Sequence, residues 1–226
     1  MLILFDCDGV LVDSEVLATR ELQRYLEDLS FPTAFEVENH DRFTGLSLRD
    51  IRTSLETQAG RSLPEDFERE LRRRDMKAFQ RDLRPINGVR DTLSALDLPR
   101  CVASSGSQEK IRHSLALTGL IDYFGTHLFS AHDQQVHQGK PAPDLFLHAA
   151  KSMGFKPNRC LVIEDSVAGV RAGIAAGMHT IGFAGGSHCN TDHPARLRHA
   201  GAHDVAMNMS TVTAIIDRIA NDLDAS

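Results

Sequence analysis

The chain has no hydrophobic run approaching the ~18 residues that a membrane helix needs. Its apolar start, Leu2–Phe5, is far shorter than a signal-peptide core and follows no basic segment. It also lacks a disulfide framework. The four cysteines, Cys7, Cys101, Cys160 and Cys189, lie far apart and form no CxxC pair, so they read as reduced thiols. Positive charge is in deficit. A formal net charge of −6 excludes a general nucleic-acid binder, whose phosphate contacts want a basic surface. Internal repeats and low-complexity tracts are absent as well. These absences together imply a cytoplasmic protein with no membrane or nucleic-acid partner, and a monomer is expected. What remains is ordinary globular material, 42% hydrophobic and 25% charged. Its 226 residues suffice for one large domain or a core with a smaller insert.

Four short apolar runs read as strands, each ending in polar or small residues: LILF before Asp6, RCVA before Ser104, RCLVI before Glu164 and HTIGF before Ala184. A weaker fifth lies at DVAM, 204–207. Helical periodicity fills the intervals near 14–29, 107–118, 143–153, 166–176 and 210–222. Strands alternating with helices predict a Rossmann-like α/β fold, a parallel sheet with helices on both faces. Such sheets bind ligands at the carboxyl ends of their strands. The alternation fails between about 30 and 85, where only helical signals occur. One of them opens with Ser62 and Glu65 in capping-box spacing and Pro64 in the first turn. This predicts an all-helical cap inserted after the first strand, with domains 1–14 plus 86–226 for the core and 15–85 for the cap.

The stretch FDCDGVLVDSE admits two chemistries. Asp6-Cys7-Asp8-Gly9, five residues and Glu15 fit the second half of an EF-hand calcium loop. The first ligand of that loop would be Leu4, which has no side-chain oxygen, and the preceding residues resemble a strand and not a helix. The alternative places Asp6 and Asp8 at the end of a central strand, with Gly9 allowing a sharp turn. A plain Asp-Gly turn would suffice if the other strand ends were chemically empty.

They are not empty. The second strand ends in Ala103-Ser104-Ser105-Gly106-Ser107 and opens a helix, a hydroxyl and backbone N–H arrangement suited to an anion. Ser107 alone could be an N-cap. Lys140 stands between Gly139 and Pro141, which suits a fixed inward ammonium, although most loop lysines are solvated. The next strand ends in Glu164-Asp165-Ser166, and two adjacent carboxylates repel unless a cation is present. A hard cation such as Mg²⁺ takes few protein carboxylates together with waters and substrate phosphate oxygens. Gly169 and Gly173 make sense where the following helix packs close against the sheet. One metal and one phosphate would satisfy all four groups.

In this order Asp6-x-Asp8-Gly9-Val10, Ser104, Lys140-Pro141 and Glu164-Asp165 resemble the four motifs of the haloacid dehalogenase superfamily of phosphohydrolases. The resemblance spans the whole chain, and the helical insert is similar to the cap of the β-phosphoglucomutase-like branch, among its sugar-phosphate phosphatases. It implies that Asp6 attacks phosphorus, forming an aspartyl-phosphate, and that Asp8 acts as acid and then base. It further implies Mg²⁺ held by Asp6, the Asp8 carbonyl and Asp165, with Glu164 in or near the shell. Ser104, the Ser105 backbone and Lys140 would hold phosphoryl oxygens. The β-phosphoglucomutases it resembles carry a histidine where this chain has Ala18, which favours hydrolysis over the mutase alternative. Asp8 itself argues against dehalogenation.

In the cap, Arg69, Arg73, Lys77 and Arg81 recur every four residues. A solvated face, partly neutralised by Glu65–Arg69, Glu68–Arg72 and Glu70–Arg74, is one reading. The other sends Arg73 or Lys77 into the cleft to bind a sugar-acid carboxylate, with Gly45 in FTGLS approaching the substrate. A zinc reading of His188, Cys189 and His193 fits no standard spacing, and the stretch reads as a polar loop.

Overall fold

The computed structural model describes residues 1–32 and 48–224, so Gly45 lies outside the described residues. Six parallel strands form one sheet: β1 (Leu2–Phe5), β2 (Arg100–Ser104), β3 (Leu128–Ser130), β4 (Cys160–Glu164), β5 (His179–Phe183) and β6 (Asp204–Ala206). Their spatial order is β3-β2-β1-β4-β5-β6. β1 pairs with both β2 and β4, so Asp6 leaves the middle of the sheet at its carboxyl edge.

Both sheet faces are covered, which is why β1 reads as an unbroken apolar run. Ile3 and Phe5 point to one side and pack with Val102, Leu161 and Ile163. Leu2 and Leu4 point to the other and pack with Cys101, Ala103, Leu145 and Phe146. Helices α1 (Glu15–Asp28), α2 (Leu48–Ala59) and α3 (Phe67–Asp82) fall in the segment expected to be helical. They enclose a cluster of their own, with Leu22, Leu26, Ile51, Leu55 and Leu71 around the stacked rings of Tyr25 and Phe67. The far end of α3 joins the main core through Phe79. Along the rest of the chain run α4 (Val89–Ala95), α5 (Gln108–Leu117), α6 (Asp144–Ser152), α7 (Val167–Ala175), α8 (His193–His199) and α9 (Met209–Asp224). No described helix is long and apolar enough to cross a membrane.

Three local expectations are corrected. β3 has only three residues, too few to show a period, and it closes the sheet beside β2. The helix expected from Ser62 begins at Phe67, with Asp66 preceding it. The intervening backbone is instead held by α2: Leu63 N–H donates to Glu56 Oε1 at 2.9 Å, and Arg52 Nη2 donates to Leu63 O. The stretch around His193 is not all loop, because α8 starts there with Pro194 in its first turn.

Candidate active site

The ladder between β1 and β4 continues past the strand, since Asp6 N–H donates to Ile163 O at 3.0 Å. That bond sets Asp6 beside Glu164 and Asp165. The chain then doubles back: Leu11 and Val12 both donate N–H groups to Cys7 O, and Gly9 takes a φ of +73°. A Cβ at Gly9 would overlap the Asp165 carboxylate, so the backbone approaches that group as only glycine allows. Leu4 is fully buried in the central strand, which excludes the calcium-loop reading.

Lys140 bridges the two carboxylate segments. Its Nζ donates to Asp6 Oδ1 at 2.6 Å, to Glu164 Oε1 and to Ala103 O at 3.3 Å, and the side chain is only 3% exposed. The Lys140–Pro141 bond is cis. Glu164 Oε2 accepts from the Ser166 N–H and hydroxyl, both at 2.9 Å, so both of its oxygens have protein donors. Ser166 Oγ in turn accepts from Gly169 N–H and caps α7. A Cβ on Gly169 would fall inside the Glu164 carboxylate, which gives the helical glycine its physical reason.

Asp8 is gripped from two other elements. Ser14 Oγ donates to its Oδ1 at 2.6 Å, and Lys110 Nζ donates to its Oδ2 at 2.9 Å. Ser104, the last residue of β2, is buried, and its Oγ accepts from Gly106 N–H at 3.0 Å. A Cβ on Gly106 would come 3.8 Å from Asp8 Oδ2, so this anion-type loop borders the aspartates. Ser105 is exposed beside it, and Ser107 is the N-cap of α5.

Burial and charge act against each other here. Burial raises the Asp6 pKa well above the carboxylate range, opposed by Lys140 and reinforced by Glu164, Asp165 and Asp8. Burial works against the Lys140 ammonium too, but Asp6 and Glu164 outweigh it and hold the charge. Asp8 is driven the other way: burial would raise its pKa, yet Lys110 and Ser14 overcome this and keep it ionised.

The arrangement fits a divalent cation. Carboxylate oxygens of Asp6, Glu164 and Asp165, all buried, lie within 4.8 Å of one another. Glu164 is committed to Lys140 and Ser166, whereas Asp165 Oδ2 is buried without a hydrogen-bond donor. His188 Nε2 stands 3.0 Å from that oxygen as an ion-pair contact. A hard cation would compensate the excess of carboxylates.

Sequence reasoning missed Ser14, Lys110 and Asp75, and it named Glu15 only for a calcium loop and His188 only in a zinc reading it set aside. Lys110 had a legible signal, because a lysine in the first turn of a helix opposes the macrodipole and needs a reason. Like Glu15, Asp75 of segment 15–85 interacts electrostatically with Asp8, and it is an acid, not a base. Burial, with Asp8, Glu21 and Glu15 reinforcing and Lys110 opposing, raises its pKa to about 7. Burial likewise raises Glu15 to about 7. Arg73 instead forks onto Glu70 at 2.6 and 2.5 Å on an exposed face, and Lys77 is exposed. Arg69 pairs with Asp66 and Arg74 with Glu70 and Asp28. The basic stripe is a solvated face, and the structure does not bring Arg73 or Lys77 to the aspartates.

Residues 1–177 match the haloacid dehalogenase-like hydrolase family. The chain belongs to that family. Among its relatives is the 6-phosphogluconate phosphatase of Escherichia coli, 35% identical over 187 residues that cover 82% of this chain and 83% of the relative. A haloacid dehalogenase-like protein of unknown function from Agrobacterium tumefaciens superposes with a TM-score of 0.86 at 39% identity, over 97% and 98% of the two chains. A family hydrolase from Deinococcus radiodurans, with bound phosphate and sodium, gives 0.78 at 32% identity over 96% and 95%.

Proposed function

We propose that this chain is a Mg²⁺-dependent phosphatase. It hydrolyses small phosphomonoesters, sugar phosphates or phosphorylated sugar acids, through an aspartyl-phosphate on Asp6. In this reading residues 1–14 and 86–226 are the catalytic core, residues 15–85 are the cap, and the setting is cytoplasmic. The observation that carries it is the pair of oppositely managed aspartates: Asp6 anchored at one oxygen by buried Lys140, and Asp8 held by Lys110 and Ser14.

Lys140, together with a cation held beside it, would keep Asp6 ionised against the effect of burial, which leaves the carboxylate's other oxygen to attack phosphorus. The new Asp6 O–P bond forms as the ester O–P bond breaks, and the leaving alcohol takes a proton from Asp8. Asp8 is ionised at rest, but an arriving phosphate dianion beside it disfavours the charged form and draws in the proton it then donates. In the second half Asp8 takes a proton from water, whose oxygen attacks phosphorus and breaks the Asp6 O–P bond. The balance is ester plus water giving alcohol plus inorganic phosphate. Ser104, the Ser105 N–H and Lys140 hold phosphoryl oxygens where charge develops. Asp6, the Asp8 carbonyl and Asp165 would hold Mg²⁺, with Glu164 behind them positioning Lys140. The ion, when bound, neutralises phosphoryl charge and aligns the reacting groups.

The 35% identity to a 6-phosphogluconate phosphatase supports a phosphorylated sugar acid within this class. The test is inorganic phosphate release from a panel of sugar phosphates and sugar-acid phosphates with Mg²⁺. Stoichiometric phosphate is expected, and Asp6→Asn should lower turnover by roughly 10⁶-fold, the scale for removing a covalent nucleophile. An isomerised sugar phosphate without phosphate release would make the chain a mutase.

A further inference from the structure

Behind Asp165 lies a second cluster that the phosphatase reading does not use. We propose that His188, Cys189 and His193 form a separate binding site for one thiophilic divalent cation, Zn²⁺, built from the loop after β5 and the first residue of α8. One ligand atom from each of the three lies within 4.8 Å of the others, and both histidines are buried. His188 Nε2 and Cys189 Sγ are 3.4 Å apart. Two such donors at ordinary Zn–N and Zn–S lengths on a tetrahedral ion would stand about 3.5 Å apart.

The surroundings are built for this arrangement. His193 Nε2 lies 2.7 Å from Asp165 O, an acceptor only, so that nitrogen carries the hydrogen. With that hydrogen placed, Nδ1 is the nitrogen that can act as a ligand when the ring is neutral. A ligand imidazole oriented by a backbone carbonyl is the usual outer-shell arrangement of a metal-bound histidine. The loop is folded tightly onto His188: a Cβ at Gly186 would come 2.6 Å from Cε1 and 2.7 Å from Nδ1 of that ring. His188 Nδ1 is buried without a hydrogen bond, while Nε2 faces Asp165 Oδ2 at 3.0 Å, so a cation taken up at Nε2 would displace the proton of that ion pair. Nitrogen and thiolate donors select Zn²⁺ over Mg²⁺, which takes oxygen. Three protein ligands leave a fourth position on a tetrahedral ion, and Cys189 is partly exposed. A bound ion would staple the loop to the first turn of α8 and so stiffen the wall that carries Asp165.

The full-length protein, stripped of metal and then supplied with Mg²⁺, would be titrated with Co²⁺ and read by absorption. A thiolate-to-cobalt charge-transfer band saturating at one equivalent and displaced by Zn²⁺ is expected. The other three cysteines are buried, so the band reports Cys189. In Cys189→Ser, folded by circular dichroism, the band disappears and Zn²⁺ affinity falls by more than about tenfold. Asp6→Asn, which alters only the carboxylate cluster, binds as the wild type does. Absence of a charge-transfer band in the wild type would overturn the proposal. So would Zn²⁺ binding unchanged in Cys189→Ser but weakened in Asp6→Asn, since the ion would then sit among the carboxylates. The wild-type band needs no variant, so the proposal stays testable even if Cys189→Ser fails to fold.

Discussion

The carboxyl edge of the sheet and the outer face of α3 use the same residue types to opposite ends. At the sheet edge, Asp6, Lys140 and Glu164 are almost wholly buried and each charge is answered by a fixed partner. On α3, Arg69, Arg73 and Arg81 pair with Asp66, Glu70 and Asp82 in water. Desolvation makes the first set costly to break and chemically tuned, whereas exposed pairs contribute little whatever their number. Charge therefore indicates a site only where burial and a neighbouring strand end accompany it.

Substitutions can break this contrast. Lys140→Met leaves Asp6 and Glu164 buried without their cation. A loss of about 3–5 kcal/mol in urea unfolding is expected, together with loss of phosphate release. Unchanged stability would mean the carboxylates find water. Gly169→Ala pushes a methyl into Glu164 and through it shifts Lys140. A loss of about 1–3 kcal/mol with reduced kcat is expected, since a packed site tolerates no added carbon.

Asp75 sharpens the comparison, because it lies on the helix whose other face is solvated. Its pKa is raised in the folded protein to about 7, so the folded state binds more protons than the unfolded chain below that pH. Its contribution is fully present below the ordinary carboxylate range and is lost as pH rises through about 7. Asp75→Asn removes that term, so unfolding free energy measured across this window should decline less with pH than in the wild type. Identical profiles would place Asp75 in water. The smallest effect is expected for Arg73→Ala, with turnover within about twofold of wild type on sugar-acid and neutral sugar phosphates alike. A selective loss on the acid would return Arg73 to the cleft.

The legibility of the molecule follows the same division. Asp6, Ser104, Glu164 and Asp165 were readable because each follows directly on a buried apolar run, and strand ends of a parallel sheet converge. Lys140 was readable from its glycine and proline neighbours. Lys110 was legible only as a lysine set against the dipole of its own helix, and Ser14 and Asp75 not at all, because the docking that brings these groups to Asp8 is encoded in no local pattern. His188 and His193 resembled loop polarity because their burial depends on packing against Asp165, more than twenty residues earlier. β3 escaped for want of length.

The most direct test is rapid acid quenching of the wild-type enzyme during turnover of a ³²P-labelled sugar-acid phosphate, followed by peptide mapping. The account predicts hydroxylamine-labile phosphoryl on the N-terminal peptide at Asp6, appearing before free phosphate. Phosphate release with no protein-bound label at any quench time, and undiminished in Asp6→Asn, would contradict it.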